Sequence, residues 1–303
     1  MTAGSARNQT LSFLLRRFRE VGIRPEGRLG QNFLIDLNLV RLLVQTADVV
    51  ADDVVLEVGT GTGSLTALLA ERAAAVVTVE VDAKMHQLAA EHLAGVANVQ
   101  MLLADVLKNK NRLNPAVLEA VARARHAAGI RPRPWKLAAN LPYNIATPLI
   151  TNLLTLDDPP ETMTVTIQKE VADRLVAAPA TKDYGALSLW VQAQCDVELV
   201  RVMPPSVFFP RPKVDSAIVR LRTNRARRAA IGDREHFHSF VRSLFLHRRK
   251  YLRSVLVAAL KDRLDKPGVD ALLARFGLSG TERAEQLDLD TVLAMAKTVP
   301  KGR

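Results

Sequence analysis

Val54-Val55-Leu56-Glu57-Val58 runs directly into Gly59-Thr60-Gly61-Thr62-Gly63. A short β-branched run that stops at glycines reads as a buried strand entering a turn. Glycines at such a turn carry no Cβ and tolerate positive φ, so a ligand can approach the backbone closely. A dinucleotide fingerprint needs Gly-x-Gly-x-x-Gly, and the sixth position counted from Gly59 is Ser64. The pattern present is Gly-x-Gly-x-Gly preceded by an acid, Glu57. It suits S-adenosyl-L-methionine, which has no pyrophosphate, better than a dinucleotide. Taken alone, the turn also reads as a tight strand-to-helix corner.

The rhythm continues outward. Ser64 to Arg72 has helical periodicity, Ala75 to Val81 is a second strand, and Lys84 to Leu93 a second helix. Val99 to Leu103, Lys136 to Ala139 and Thr162 to Ile167 follow as further strands. Strands separated by helices of this length predict an α/β fold with a Rossmann-like, doubly wound parallel sheet. Its strand ends would share one edge, where such folds bind ligands. Val197 to Val202 and Ala217 to Arg222 look like a closing antiparallel pair, separated by the proline-studded loop Pro204 to Lys213. Proline this dense excludes a central strand or helix interior. Asn109 to Pro134, with an alanine-rich helix over roughly Pro115 to Ala128, reads as an insertion before the fourth strand. The domain reading is a basic N-terminal extension over 1–28, a ligand-binding domain over 29–222, and a small helical domain over 223–303.

Three strand ends carry chemistry. Glu80 can accept hydrogen bonds from ribose hydroxyls, as acids do at this position in dinucleotide folds. Asp105 is placed to accept from an adenine amino group. Each acid alone also reads as a solvated strand end, but with the glycine loop they make a specific pocket. Asn140-Leu141-Pro142-Tyr143 is the most specific signal. An exocyclic amine is a poor nucleophile because its lone pair is delocalised into the ring. The Asn140 side-chain oxygen and the Leu141 carbonyl can accept both of its N–H groups, which favours a pyramidal nitrogen. Pro142 fixes the turn, and Tyr143 can stack on the base. One of Phe208 and Phe209 is expected to supply the other face of a base sandwich, with the other in the core, and Phe208 is the residue taken into the candidate site.

The net charge is +11, which favours a polyanionic partner. From Arg220 to Arg253 eleven Lys or Arg face two acids, a pattern suited to phosphate. The bland reading is a solvated face. No apolar run reaches the roughly 18 residues that span a bilayer, and the first ten residues are polar, so no membrane role and a cytoplasmic home are expected. The basic amphipathic stretch Leu11 to Glu20 reads as a helix lying on RNA or on the body of the protein, with a membrane-surface helix as the alternative. The one cysteine, Cys195, excludes an internal disulfide and reads as structural, which argues against cytosine C5 methylation by a thiolate. The spacing of the six histidines does not point to a metal site.

Gly30-Gln31-Asn32-Phe33-Leu34, Glu57 to Gly63, Asn140 to Tyr143 and Phe208 to Ser216 together resemble the KsgA family of small-subunit (16S) ribosomal RNA adenine N6,N6-dimethyltransferases. The likeness runs in order from about Leu29 to Arg253. It implies a class I methyltransferase fold with S-adenosyl-L-methionine as cofactor. Its substrate would be two adjacent adenines in the 3′-terminal hairpin loop of small-subunit rRNA, met within the immature small subunit by a monomeric enzyme. It implies that Asn32, Leu34, Gly59, Gly61, Glu80, Asp105 and Asn140 line the cofactor pocket. Arg211, Lys213, Arg248, Arg249, Lys250 and Arg253 would meet RNA, the last four from a basic helix. Two departures are the N-terminal extension and the length of the 109–134 segment, both partly basic and able to tune RNA docking. The alternatives are a large-subunit adenine methyltransferase of the macrolide-resistance type and a catalytically idle assembly factor.

Overall fold

The computed structural model describes residues 11–20, 22, 30–127 and 132–301. The rest of the expected N-terminal extension, Leu29, and 128–131 of the expected insertion lie outside the described residues. The chain opens with α1 (Leu11–Glu20) and the short β1 (Phe33–Leu34), then α2 (Leu37–Ala47), whose Asp36 side chain accepts from the Asn38 and Leu39 amides as an N-cap. β2 (Val54–Val58) passes through the glycine turn into α3 (Ser64–Ala70), and β3 (Ala75–Glu80) into α4 (Ala83–His92), capped by Asp82. β4 (Val99–Leu103) is followed by the small ribbon β5 (Leu107–Asn109) and β6 (Arg112–Leu113), then α5 (Pro115–His126). β7 (Trp135–Asn140), α6 (Ala146–Leu153) and β8 (Thr162–Gln168) complete the parallel part.

After α7 (Lys169–Val176) and α8 (Ala186–Gln192) come β9 (Cys195–Met203), β10 (Phe208–Phe209) and β11 (Ser216–Thr223). The sheet has seven strands in the order β4-β3-β2-β7-β8-β11-β9. Strands β4 through β8 pair in parallel, and β11 runs antiparallel to β8. The order reverses between β2 and β7, the switch point at which ligands bind in such sheets. Val55, Val76, Ala138 and Ile218 on one face form a core with Leu43, Val44 and Leu69 of α2 and α3. The alternating residues Val54 and Leu56 are fully buried as well, so both faces are covered.

The 109–134 segment is not an insertion. Asn114 caps α5, Pro115 takes its first turn, and Val117, Ala120 and Val121 are buried where α5 packs on β2 and β3. It is the crossover that carries the chain from the edge strand β4 back past β2 to β7. Its alanines allow close packing on the sheet, and the same alanines made it look unlike the other crossovers. Its basic end is engaged too, Arg125 with Asp158 at 2.6 Å and Arg133 with Asp52 at 3.4 Å.

By contacts the chain divides into one unit of Met1–Ala172 with Glu198–Arg222, and a second of Asp173–Val197 with Thr223–Arg303. The helical unit therefore recruits α8 from within the span expected to be sheet domain. Its remaining helices are α9 (Arg225–Ile231), α10 (Arg234–Phe245), α11 (Leu252–Ala259), α12 (Lys266–Arg275) and α13 (Leu289–Thr298). α8 packs on α10 through Trp190 and Phe237, whose rings stack at 6.3 Å. The buried Cys195 thiol is pushed up to about 12 by burial, which leaves it protonated and inert. No described helix is long and apolar enough to cross a membrane.

Candidate active site

One cavity lies at the carboxyl ends of β2, β3, β4 and β7. Gly59, Gly61, Glu80, Asp105 and Asn140 line it, with Gln31, Asn32 and Phe33 of the entry segment and Val58, Val81, Val106 and Ile145 as apolar walls. Gly59 and Gly61 have φ of 82° and 55°. A Cβ on Gly59 would stand 3.4 Å from the Pro142 ring, and one on Gly61 would stand 3.3 Å from the Phe33 ring. Side chains there would fill the cradle, which is the physical reason for the glycines.

Glu80 is 6% exposed and held by three backbone amides. Gly61 donates to Oε2 at 3.0 Å, and Val81 and Asp82 donate to Oε1 at 2.9 and 3.0 Å. Burial nonetheless raises its pKa above the usual carboxylate range, and those amides oppose the shift. A carboxylate has about four acceptor positions, so one remains for a ligand hydroxyl. Asp105 is exposed, and its Oδ1 accepts from the Leu107 amide at 2.8 Å.

Glu57, the acid that precedes the glycines, is not in this cavity. It is 1% exposed beneath the loop, where the Thr66 and Thr78 hydroxyls donate to its Oε2 at 2.5 and 2.7 Å. Thr78 also bonds Thr60 of the loop at 2.7 Å. Burial pushes the Glu57 pKa up to about 8. Its position braces the loop and does not address a ligand.

At the end of β7 the Asn140 side-chain nitrogen donates to the Asn32 carbonyl at 2.8 Å. The Leu141 amide donates to the Thr166 carbonyl at 3.1 Å, and the Ile145 amide to the Pro142 carbonyl at 3.2 Å. These bonds fix the turn that Pro142 begins. Tyr143 is half-buried, with its hydroxyl 2.5 Å from Ser216 Oγ. A second cavity adjoins the first, lined by Gly30, Asn32, Tyr143, Asn144, Gln168, Pro212, Lys213 and Val214. The two share Gly30, Asn32 and Asn144. Gln168 was missed in the sequence, although it ends a strand as Asn140 does, and that position is a usable signal.

The entry segment pairs with the proline loop, Phe33 opposite Phe209 and Leu34 opposite Phe208. This register corrects two expectations. Phe208 is 1% exposed in the core beside Leu34, so it cannot reach a base. Leu34 packs in that core as well and is absent from the cavity lining, whereas Phe33 takes the place expected of it. Phe209 packs with Phe33 instead. The peptide between Phe209 and Pro210 is cis.

The basic cluster also sorts into two kinds. Arg253 makes a two-pronged ion pair with Asp270 at 2.6 and 2.9 Å, and Arg248 pairs with Glu285 and donates to the Thr181 carbonyl at 3.2 Å. Both are committed within their own unit, contrary to the expectation that they are free for phosphate. Arg249 and Lys250 are exposed, and Arg248 to Lys250 form a turn between α10 and α11, not a helix. Arg211 and Lys213 are exposed on the proline loop.

The model of the ribosomal RNA adenine dimethylase family matches residues 24–299. The chain belongs to that family. Among its members, the ribosomal RNA small subunit methyltransferase A of Geobacillus thermodenitrificans is 41% identical over 262 residues, 86% of each chain. The crystal structure of the 23S rRNA methyltransferase ErmE superposes with a TM-score of 0.61 at 27% identity, over 88% of this chain and 98% of that one. A dimethyladenosine transferase from Plasmodium falciparum shares the fold, with a TM-score of 0.68 at 23% identity over 86% of this chain and 94% of that one. The site suits the family's adenosyl cofactor: an open glycine cradle, two acids at successive strand ends, and apolar walls between them.

Proposed function

We propose that the protein is an S-adenosyl-L-methionine-dependent rRNA methyltransferase that dimethylates adenine N6 in small-subunit rRNA. The observation that carries this is the orientation of Asn140. Its nitrogen is occupied by the carbonyl of Asn32, a residue that lines both cavities, which leaves Oδ1 as the acceptor of this first-cavity side chain. Bound in the first cavity, S-adenosyl-L-methionine supplies an electrophilic methyl on a sulfonium. Gly59 and Gly61 let it approach the backbone, Glu80 would meet the ribose, and Asp105 the adenine amino group.

Asn140 and Leu141 line the first cavity, and their Oδ1 and carbonyl would accept the two N–H groups of a target adenine entering from the adjoining second cavity, favouring a pyramidal nitrogen. The Tyr143 ring supports the unstacked base. No strong base is required, because the nitrogen becomes acidic once it carries the new methyl and its proton passes to water. Arg211, Lys213, Arg249 and Lys250 are among the exposed cations and are available for phosphate. The finer substrate is two adjacent adenines in the 3′-terminal hairpin loop, met on the immature small subunit by a cytoplasmic monomer.

Labelled cofactor incubated with immature small subunits, and separately with large-subunit rRNA, tests this reading. Label in N6,N6-dimethyladenine of the small-subunit hairpin is expected. Incorporation only into large-subunit RNA would assign it the substrate type named for ErmE, and none into either would leave an idle assembly factor.

A further inference from the structure

α1 is ten residues long, below the roughly 12–15 at which an isolated helix persists in water, so what it buries sets its place. Phe18 is its buried anchor at 3% exposure. The Phe18 ring meets Phe33 edge-on, with centroids 5.2 Å apart and planes at 63°, and lies 6.4 Å from Phe209. Met85 and Leu88 of α4 complete this cluster. One turn away in α4, Glu91 pairs with Arg17 at 2.8 Å. Phe33 also lines the first cavity, its ring against Gly61. Beside it, Gln31 donates to Asp82 Oδ2 at 3.2 Å, and Asp82 caps α4 with its other oxygen. The wall over the glycine loop is therefore tied to α4 by three contacts, two of which come from α1.

We propose that Phe18 is a positioning residue for the cofactor: it holds Phe33 against the glycine loop, so that docking of α1 and binding of the adenosyl ligand stabilise one another. This rests on the reading of the first cavity as the S-adenosyl-L-methionine site. Linkage makes the effect reciprocal. A ligand that needs Phe33 in place must also hold α1 down, and a helix that docks well must tighten the ligand. Arg16, Arg17 and Arg19 make α1 a trypsin target, so its docking can be read directly.

The experiment measures Kd for S-adenosylhomocysteine, kcat at saturating cofactor, RNA affinity and the rate of trypsin cleavage within α1. The proteins are the full chain and its Phe18→Ala and Phe18→Leu variants. Phe18→Ala is expected to weaken cofactor binding about 5- to 30-fold, in the range of an ordinary coupling between sites. Its kcat at saturation and its RNA affinity should stay near wild type, and Phe18→Leu should recover most of the loss. The ligand should slow α1 cleavage in the wild type and not in Phe18→Ala. A folded Phe18→Ala protein with cofactor Kd within about twofold of wild type would overturn the proposal. If Phe18→Ala does not fold, Arg17→Glu should weaken the ligand, and adding Glu91→Arg should restore it; no rescue overturns the proposal. A wild-type protein that binds no S-adenosylhomocysteine would instead overturn the cofactor reading beneath it.

Discussion

The side-chain nitrogen of Asn140 points at the backbone carbonyl of Asn32, 2.8 Å away, and this one bond decides which end of the amide is left as an acceptor. A carbonyl only accepts, so Nδ2 must lie against it and Oδ1 must lie away from it. Asn140→Ala removes the acceptor, and Asn140→Asp sets a carboxylate against the Asn32 carbonyl. Both should lower kcat by on the order of 10²–10³, the usual cost of one preorganised polar contact to a transition state. RNA affinity should be unchanged. Initial methylation rates with labelled cofactor, beside RNA-binding isotherms, measure both quantities. A rate for Asn140→Ala near wild type would remove the amine-acceptor role.

Tyr143 separates ring from hydroxyl. Its hydroxyl is spent on Ser216, inside the protein, so the ring is the part left for a base. Tyr143→Phe should keep kcat/KM near wild type. Tyr143→Ala should lose roughly 5- to 150-fold, the equivalent of about 1–3 kcal/mol for stacking one base. Equal losses in the two variants would mean that the hydroxyl matters and the ring does not.

Sequence and structure agree where period and position carry the information. β2, β3, β4, β7 and β8 were legible as apolar runs, and because parallel strands share a direction, their ends placed Gly59, Glu80, Asp105 and Asn140 around one cavity. Three things were not legible. Alternation says that Phe208 and Phe209 face opposite ways, but only pairing with Phe33 and Leu34 says which one is buried. A local charge count saw eleven cations with two acids, yet Glu285 and Asp270 arrive from distant segments to pair with Arg248 and Arg253. The place of Glu57 before the glycines does not say which way its side chain faces, and the fold sets it beneath the loop on Thr66 and Thr78.

That pairing changes which cations should govern salt dependence. Arg249 and Lys250 are exposed, whereas Arg248 and Arg253 are held by acids. Charge reversal at Arg249 and Lys250 together should lower the slope of log K against log salt by about 1.4–1.8, two phosphate contacts' worth. Arg248→Ala and Arg253→Ala should lower thermal stability slightly and leave that slope nearly intact. RNA binding across a salt series distinguishes the two pairs. A full slope in the Arg249/Lys250 variant would place the phosphate contacts elsewhere.

Glu57 gives the protein a pH dependence of known sign. Folded, its carboxyl holds a proton up to about pH 8 because burial disfavours the charge; unfolded, it releases that proton near pH 4.5, as an ordinary glutamate does. Between those values folding takes up a proton, so this group's effect on stability worsens as pH rises from about 4.5 to about 8, then levels off. Glu57→Gln keeps the shape and an acceptor for Thr66 and Thr78 but cannot ionise. Its Tm relative to wild type should therefore climb across that window, by roughly several °C at pH 8. Taking the difference between the two proteins cancels every other titrating group. Calorimetric melting of both at a series of pH values gives the curve, and a difference that stays flat would mean the carboxyl is already charged in the folded protein.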